Sequence, residues 1–279
     1  GTKVLFETVF TSVPRALALS MNQVSFLGLT ALAAFLTSGS IAVFMFAYNL
    51  QAVPLAIVGA SYSVAAFPTL AAAIARGERS AFVSHIATAA RHIFFWSLPI
   101  TALIIVLRAH IVRVILGSGA FDWTDTRLTA AAFALLAVSL VCQGLTLLLV
   151  RGYYAAGRSF VPFIVAGLSA LGTIALGGLL VGFFKNEWLV ELSQEVLRVA
   201  GVPGSSVLTL AFAYSFIAVI STLILVLHFE HRFGGFLRSV WRSWGESALS
   251  AFVGGAVTYI VLIAVGPITF ASTTLSVFT

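Results

Sequence analysis

Residues 16–75 read ALALSMNQVSFLGLTALAAFLTSGSIAVFMFAYNLQAVPLAIVGASYSVAAFPTLAAAIA, a run without a single charged side chain. A soluble domain must keep its surface solvated and cannot hide an uncharged segment of this length. A bilayer selects such segments, because an ionised side chain at its centre costs at least about 2.5–3.5 kcal/mol. Shorter apolar runs follow at 93–107, 128–150, 159–184, 199–227 and 247–279. The pattern predicts a polytopic membrane protein.

Composition agrees with a membrane domain. Hydrophobic residues make up 60% of the 279 positions and charged residues only 9%, against about 25% charged in a typical soluble domain. Because a spanning helix needs about 20 apolar residues, the chain has room for about seven or eight spans in an all-α fold. We attribute the formal charge of +6 to basic residues that flank the spans, and we predict no nucleic-acid partner.

The sequence shows no motif for catalysis or for metal binding. The five histidines have no metal-ligand spacing, and Cys142 is the only cysteine, which excludes an intrachain disulfide. No acid–base pair, nucleophile arrangement or phosphate-binding glycine loop stands out. The sequence therefore predicts a protein that is not an enzyme and that needs no cofactor or metal.

We predict seven spans, at about 14–36, 41–75, 86–107, 127–150, 159–184, 205–229 and 247–266. The second run is too long for one straight span and too short for two, since division leaves a first piece of about 13 residues. Pro54 and Pro68 lie inside it, and each removes a helical hydrogen bond. One long helix with hinges at these prolines satisfies both facts, after a turn at Thr37–Ser40.

The basic residues give the orientation of these spans. One side receives ten of them and the other five: Lys3, Arg15, Arg76, Arg79, Arg91, Arg151, Arg158, Arg232, Arg238 and Arg242 against Arg108, Arg113, Arg127, Lys185 and Arg198. The side richer in lysine and arginine is normally cytoplasmic. The chain is therefore predicted to start on the cytoplasmic side.

Two connecting segments have amphipathic helical patterns. In Phe236–Glu246, tryptophans and aliphatic residues share one face and charged residues another, which is typical of a helix lying on an anionic leaflet. Trp188–Val199 alternates leucines and valines with glutamates in the same way. A solvated cap helix is the simpler interpretation of both.

Polar side chains inside the spans are the candidate functional residues. Asn22 and Gln23 lie in the first span, Tyr48, Asn49 and Gln51 in the second, and Gln143 in the fourth. Polar side chains inside a membrane span usually face a partner helix or a water-filled cavity. Interhelical hydrogen bonding, worth about 0.6 kcal/mol each, is favoured for Gln143. For Asn49, interhelical hydrogen bonding and a cavity-lining role are equally open interpretations.

Arg91 lies about one turn inside the third span, beside His92. Most arginines in such places extend towards the lipid headgroups. The alternative is that Arg91 contacts anionic groups of a substrate from the cytoplasmic side.

Motifs along the first 165 residues resemble the MurJ/MviN lipid II flippase family. They occur in the family's order and spacing: Pro14-Arg15 with Asn22-Gln23, Ser38-Gly39-Ser40, Asn49-Leu50-Gln51 with Pro54, Phe67-Pro68-Thr69-Leu70, Gly117–Asp122 with Asp125-Thr126, and Arg151-Gly152-Tyr153-Tyr154-Ala155 with Pro162. The resemblance weakens after that point.

The resemblance implies a fold of fourteen helices, in which two six-helix lobes face a central cavity and two helices follow. This chain would carry helices seven to thirteen. Residues 1–229 would form the second lobe, 230–246 a cytoplasmic interfacial helix, and 247–279 an additional helix. The first lobe would be a missing partner, together with the arginines that the family uses to hold a diphosphate.

The chain departs from the family at charged positions. An Asp-Arg pair and a Glu are expected in helix eight, where Tyr48, Asn49 and Ala52 stand instead. The expected sodium ligands of helix eleven are replaced by Thr173 and Gly177. We therefore predict that this lobe binds no coupling cation, and that Asn22, Tyr48, Asn49, Gln51 and Arg91 line the substrate site.

The function implied is translocation of an undecaprenyl-diphosphate-linked, lipid II-like sugar across the bacterial inner membrane by alternating access. Membrane lipids would be the other partners. Two alternatives remain: a flippase for another undecaprenyl-diphosphate-linked polysaccharide, and a non-transporting scaffold of the cell-wall machinery.

Overall fold

The computed structural model describes residues 2–117, 121–183 and 204–272, with side chains for 12–117, 121–183 and 204–265. It contains α1 (Thr2–Ala34), α2 (Ser40–Pro54), a π-helical segment (Leu55–Ala60), α3 (Ser61–Ala75), α4 (Arg79–Leu116), α5 (Trp123–Val138), α6 (Leu140–Ala155), α7 (Phe160–Phe183), α8 (Val207–Phe233) and α9 (Phe236–Ser272). The segment Trp188–Val199, with Lys185 and Arg198, lies outside the described residues.

The all-α prediction is confirmed, since the described part of the chain contains helices and turns and no strand. Within the described residues, six helices are long and apolar enough to cross a membrane, and α5 with α6 makes a seventh span if this pair counts as one. The predicted fourth span is not straight, because α5 and α6 meet at an angle of 43°. Ser139 lies at the break, where its hydroxyl donates to the carbonyl of Leu136 at 2.8 Å and so competes with regular helical bonding.

The second span is one long helix, as predicted, from Ser40 to Ala75. Its irregularity begins directly after Pro54, where six residues adopt the wider π-helix. Proline has no N–H to donate to the carbonyl four residues earlier. At the end of the π-helical segment, the Ser61 hydroxyl donates to the carbonyl of Ala56, five residues earlier, at 3.2 Å. Pro68 lies within regular helix α3.

Two glycines allow the π-helical segment to pack directly against α6. A Cβ atom added to Gly59 would come within 2.8 Å of the Gly144 Cα, and one added to Gly144 within 3.4 Å of the Gly59 Cα. Real Cβ atoms almost never approach a backbone so closely, so the contact requires glycine at position 59. The irregular part of the second span is thus fixed against the middle of the bundle.

The C-terminal part differs from the sequence prediction. Residues 236–246, expected to form a helix separate from the seventh span, are continuous with it in α9. No proline interrupts the segment, and Gly245 is tolerated in the helix. Along the described part of α9, Phe236, Val240 and Ala251 are buried, and α9 runs parallel to α4, with Gly255 close to Ala102.

Contacts between helix ends agree with the predicted grouping of basic residues. Arg15 of α1 donates from Nε to the hydroxyl of Ser159 at 2.9 Å and from Nη2 to the carbonyl of Tyr154 at 3.2 Å. Arg79 at the start of α4 donates to the carbonyl of Arg232 at the end of α8. Near the end of α6, the ring centroid of Tyr153 lies 6.3 Å from that of Phe233 at the end of α8. The Arg15 position of α1, the α6–α7 junction, the start of α4 and the end of α8 therefore lie at the same end of the bundle.

The buried core has two parts. One, centred on Phe44 and Leu136, joins α1, α2, α4, α5 and α8. The other, centred on Phe82 and Tyr153, joins α3, α4, α6, α8 and the start of α9. Helix α5 is buried over most of its length, whereas α1 and α2 each keep an exposed face.

Candidate functional site

The polar residues predicted to line one site occupy different environments. Gln51 is buried, with only 1% of its surface exposed, and its amide nitrogen has no hydrogen-bond partner. Asn22 and Asn49 are exposed, and Tyr48 is half-buried. Asn22 and Asn49 are therefore available to a bound molecule, whereas Gln51 faces the interior of the bundle.

The two exposed asparagines lie at similar depth. They are separated from the turn between α1 and α2 by 12 and 9 residues of helix, which corresponds to about 18 and 14 Å. Asn22 is also one turn from Phe26, whose ring contacts Tyr48, the neighbour of Asn49. Since the hydrocarbon core is about 30 Å thick, both amides lie near its middle if the turn is at the membrane surface.

Tyr48 belongs to an aromatic cluster that holds α1, α2 and α8 together. Its ring centroid lies 4.9 Å from Phe26, 6.1 Å from Phe44 and 5.6 Å from Tyr214. Aromatic pairs at these distances stabilise packing by about 0.5–1.5 kcal/mol each. Tyr48 thus positions the helix segment that presents Asn49.

Gln143 joins helices, as the sequence analysis favoured. Its amide nitrogen donates to the Ser139 hydroxyl at 2.8 Å, and its amide oxygen accepts from the Tyr214 hydroxyl at 3.3 Å. The Ser215 hydroxyl donates to the carbonyl of Leu135 at 2.8 Å. These bonds surround the break between α5 and α6 and link it to α8.

Further polar pairs between α6 and α8 were missed by sequence reasoning. The hydroxyls of Thr146 and Thr222 are 2.8 Å apart, and the Tyr153 hydroxyl is 2.6 Å from Nδ1 of His228. With Ser139, Thr146 and Tyr153 repeat every seven residues, which returns to the same face of a helix. That spacing is visible in the sequence and was the available signal.

Arg91 lies in a different place from the asparagines. It lines a cleft of about 710 Å³ between the first half of α4 and the α8–α9 connection. The lining residues are Arg79, Ser80, Val83, Ser84, Ala87, Arg91, Phe233, Gly234, Gly235 and Ser239. The structure therefore separates Arg91 from Asn22, Tyr48, Asn49 and Gln51.

Within the described ranges, no group of three or more histidine, cysteine, aspartate or glutamate residues is placed to hold a metal ion. The exposed amides of Asn22 and Asn49 bind through hydrogen bonds. Exposed basic side chains, Arg91, His92 and His228, lie in other helices of the bundle. The fold defines the class: a polytopic helical membrane protein with exposed polar side chains in its helices.

The chain belongs to the MurJ family: the family model described as lipid II flippase MurJ matches residues 3–277. It is 27% identical over 185 residues to a protein of Thermotoga maritima named probable lipid II flippase MurJ, covering 66% of this chain and 38% of that protein. A protein of Bdellovibrio bacteriovorus with the same name is 27% identical over 179 residues, covering 64% and 34%.

A solved structure, titled lipid II flippase MurJ in an inward closed conformation, has the same fold. It matches with a TM-score of 0.63 at 18% identity, over 91% of this chain and 53% of that structure. The chain therefore spans about half the length of the solved structure and little more than a third of the curated relatives.

Proposed function

We propose that this chain is one lobe of a flippase that carries a lipid-linked peptidoglycan precursor across the bacterial inner membrane. Family membership over residues 3–277 supports the reaction class. The structural observation that carries the proposal is the pair of exposed, uncharged amides of Asn22 and Asn49 near mid-membrane depth. Polar groups exposed there are costly unless they meet a polar partner.

The partner is the headgroup of an undecaprenyl-diphosphate-linked sugar, held between this lobe and a second one that precedes it. An amide offers two donors and an acceptor, which suits sugar hydroxyls and diphosphate oxygens alike. The protein makes and breaks no covalent bond, so it is a transporter and not an enzyme. Alternating access moves the lobes relative to each other, and the π-helical segment after Pro54 is the proposed bending point of the second span.

Transport by the whole protein tests this proposal. The protein that contains this chain and the preceding lobe is reconstituted into vesicles with a fluorescent undecaprenyl-diphosphate disaccharide, and movement between leaflets is followed by bleaching from outside. We expect movement above the protein-free rate with the whole protein and none with residues 1–279 alone, because one lobe encloses no cavity. Movement by the chain alone would reject the one-lobe proposal. If the whole protein folds but moves no lipid, the result would favour the alternative of a non-transporting scaffold. If it prefers another undecaprenyl-linked glycan, the result would favour the alternative of a flippase for that glycan.

Orientation gives a second prediction. Ser38 and Ser80 are exposed and lie at opposite ends of the helix from Ser40 to Ala75. In a Cys142→Ala background, we expect Ser38→Cys to react with an impermeant maleimide in intact spheroplasts, and Ser80→Cys to react only after permeabilisation. The physical reason is the excess of arginines at the Ser80 end. The reverse labelling pattern would overturn the cytoplasmic start of the chain.

A further inference from the structure

The cleft that contains Arg91, here called the arginine cleft, is a concave site with a polar wall and an apolar floor. Its volume of about 710 Å³ falls in the range of small-molecule sites, about 300–1,000 Å³. Val83 and Ala87 are buried beneath it, while Ser80 and Ser84 are exposed along its wall. Neither hydroxyl makes a side-chain hydrogen bond within the described part of the chain, so both can accept or donate to a ligand.

Arg79 and Arg91 give the cleft an uncompensated positive charge. Among the described residues, no carboxylate lines it. Glu78 pairs with Arg76 at 3.0 Å, and Glu246 pairs with Arg242 at 2.7 Å. Glu230 accepts hydrogen bonds from the backbone N–H groups of Gly235 and Leu237, each at 2.9 Å.

Both guanidinium groups are held in position by neighbours. Arg79 lies over the ring of Phe233, 5.7 Å from its centroid, and donates to the carbonyl of Arg232. Arg91 donates from one Nη to the hydroxyl of Thr88 at 3.0 Å. Each guanidinium has five N–H donors, so most donors of both groups remain available to an oxyanion.

The cleft lies at the depth of the lipid headgroups. Helix α4 has 38 residues and is about 57 Å long, much longer than the hydrocarbon core of about 30 Å. The uncharged stretch between Arg91 and Arg108 covers about 25 Å, which places the first third of α4 outside the hydrocarbon. Trp241 and Trp244 follow the cleft along α9 and are 73% and 43% exposed, as is typical of the membrane interface.

We propose that the arginine cleft binds the phosphate group of an anionic phospholipid, with Arg79 and Arg91 as its cationic contacts and Ser80 and Ser84 as hydrogen-bonding groups. The apolar floor contacts the glycerol end of the acyl chains. This binding does not depend on the transport function. It fixes the α8–α9 connection against α4 in the membrane.

Protection of a cysteine in the cleft tests the proposal. In a Cys142→Ala background, Ser84→Cys is reacted with a maleimide in mixed micelles that contain phosphatidylglycerol, phosphatidylcholine, undecaprenyl diphosphate or inorganic phosphate. We expect phosphatidylglycerol to slow labelling at least about fivefold relative to phosphatidylcholine, since charged hydrogen bonds to phosphate are strong. Gly245→Cys is the control, because Gly245 is exposed on α9 outside the cleft and a Cβ atom added there meets nothing within 4 Å.

Charge variants then locate the effect. Arg79→Gln combined with Arg91→Gln should abolish the protection, whereas Arg79→Lys with Arg91→Lys should keep part of it and report that the site still folds. Arg232→Gln with Arg238→Gln removes the same charge from exposed positions at this end and should leave protection in place. The proposal is overturned if phosphatidylglycerol still protects the cysteine after Arg79→Gln with Arg91→Gln, or if Arg232→Gln with Arg238→Gln removes protection to the same extent. It is also overturned if phosphatidylcholine protects the cysteine as well as phosphatidylglycerol does. Equal protection by inorganic phosphate would make it a soluble-anion site, and protection by undecaprenyl diphosphate alone would make it a substrate site.

Discussion

We expect Gly59→Val to destabilise the bundle more than the same glycine-to-valine change at any other glycine in the described spans. The first side-chain atom would meet the Gly144 Cα at 2.8 Å and Leu55 Cδ1 at 3.0 Å. Backbone cannot move aside as a flexible side chain does, and overpacking of a filled core costs about 1–3 kcal/mol. We expect the midpoint temperature for loss of the monodisperse peak, measured by fluorescence-detected size-exclusion chromatography after heating, to fall by several degrees.

Gly167→Val is the matched control for this result. Gly167 lies in α7, and a Cβ atom added there meets nothing within 4 Å. The same glycine-to-valine change therefore tests helix propensity and hydrophobicity without the steric clash. If Gly59→Val and Gly167→Val lose stability equally, close packing of the π-helical segment against α6 is not what holds the second span.

The approximate number of spans follows from the sequence because the membrane imposes it, whereas helices such as α4 and α9 extend beyond the predicted limits. Charged residues such as Arg76 and Arg158 stand at helix ends, where the cost of burying an ion in hydrocarbon disappears. The length of the run from Ser40 to Ala75, too long for one straight span and too short for two, favours one long helix. These features depend only on composition along the chain and need no knowledge of which helices are neighbours.

Contacts between helices were beyond sequence reasoning for a physical reason. The break at Ser139 and the approach of Gly59 to Gly144 depend on how two helices are rotated against each other. In a soluble helix, the contrast between polar and apolar faces reveals that rotation. In α2 and α6 nearly every face is apolar, so the sequence pattern leaves the rotation open.

Gln51 and Asn49 illustrate the same limit at the site. Two positions along a helix differ by about 200° of rotation, so both amides cannot face one cavity. The structure buries Gln51 and exposes Asn49, while the sequence placed both in the substrate site. A lone polar residue on an apolar helix gives no signal of which side is inside.

Substitution of Asn49 by leucine is expected to reduce transport strongly in the whole protein. We propose that its exposed amide contacts the sugar or diphosphate oxygens of the substrate. Loss of one net hydrogen bond costs about 0.5–1.5 kcal/mol, and an apolar side chain also leaves those oxygens without a partner. We expect Asn49→Ala to slow lipid movement several-fold and Asn49→Leu to slow it by more than about tenfold, measured as the initial bleaching rate in reconstituted vesicles at equal protein density.

Gln51→Leu is the matched control, because it removes an amide two residues away from the same helix. Its amide nitrogen is buried without a partner, and removal of such a group is neutral or stabilising. We therefore expect Gln51→Leu to keep transport near the starting rate and to unfold at the same or a higher temperature. Full transport by Asn49→Leu would assign Asn49 to the lipid-facing surface. If Asn49→Leu and Gln51→Leu reduce the transport rate equally, the second span tolerates no change in this turn. The difference in exposure between the two amides would then not explain their effect on transport.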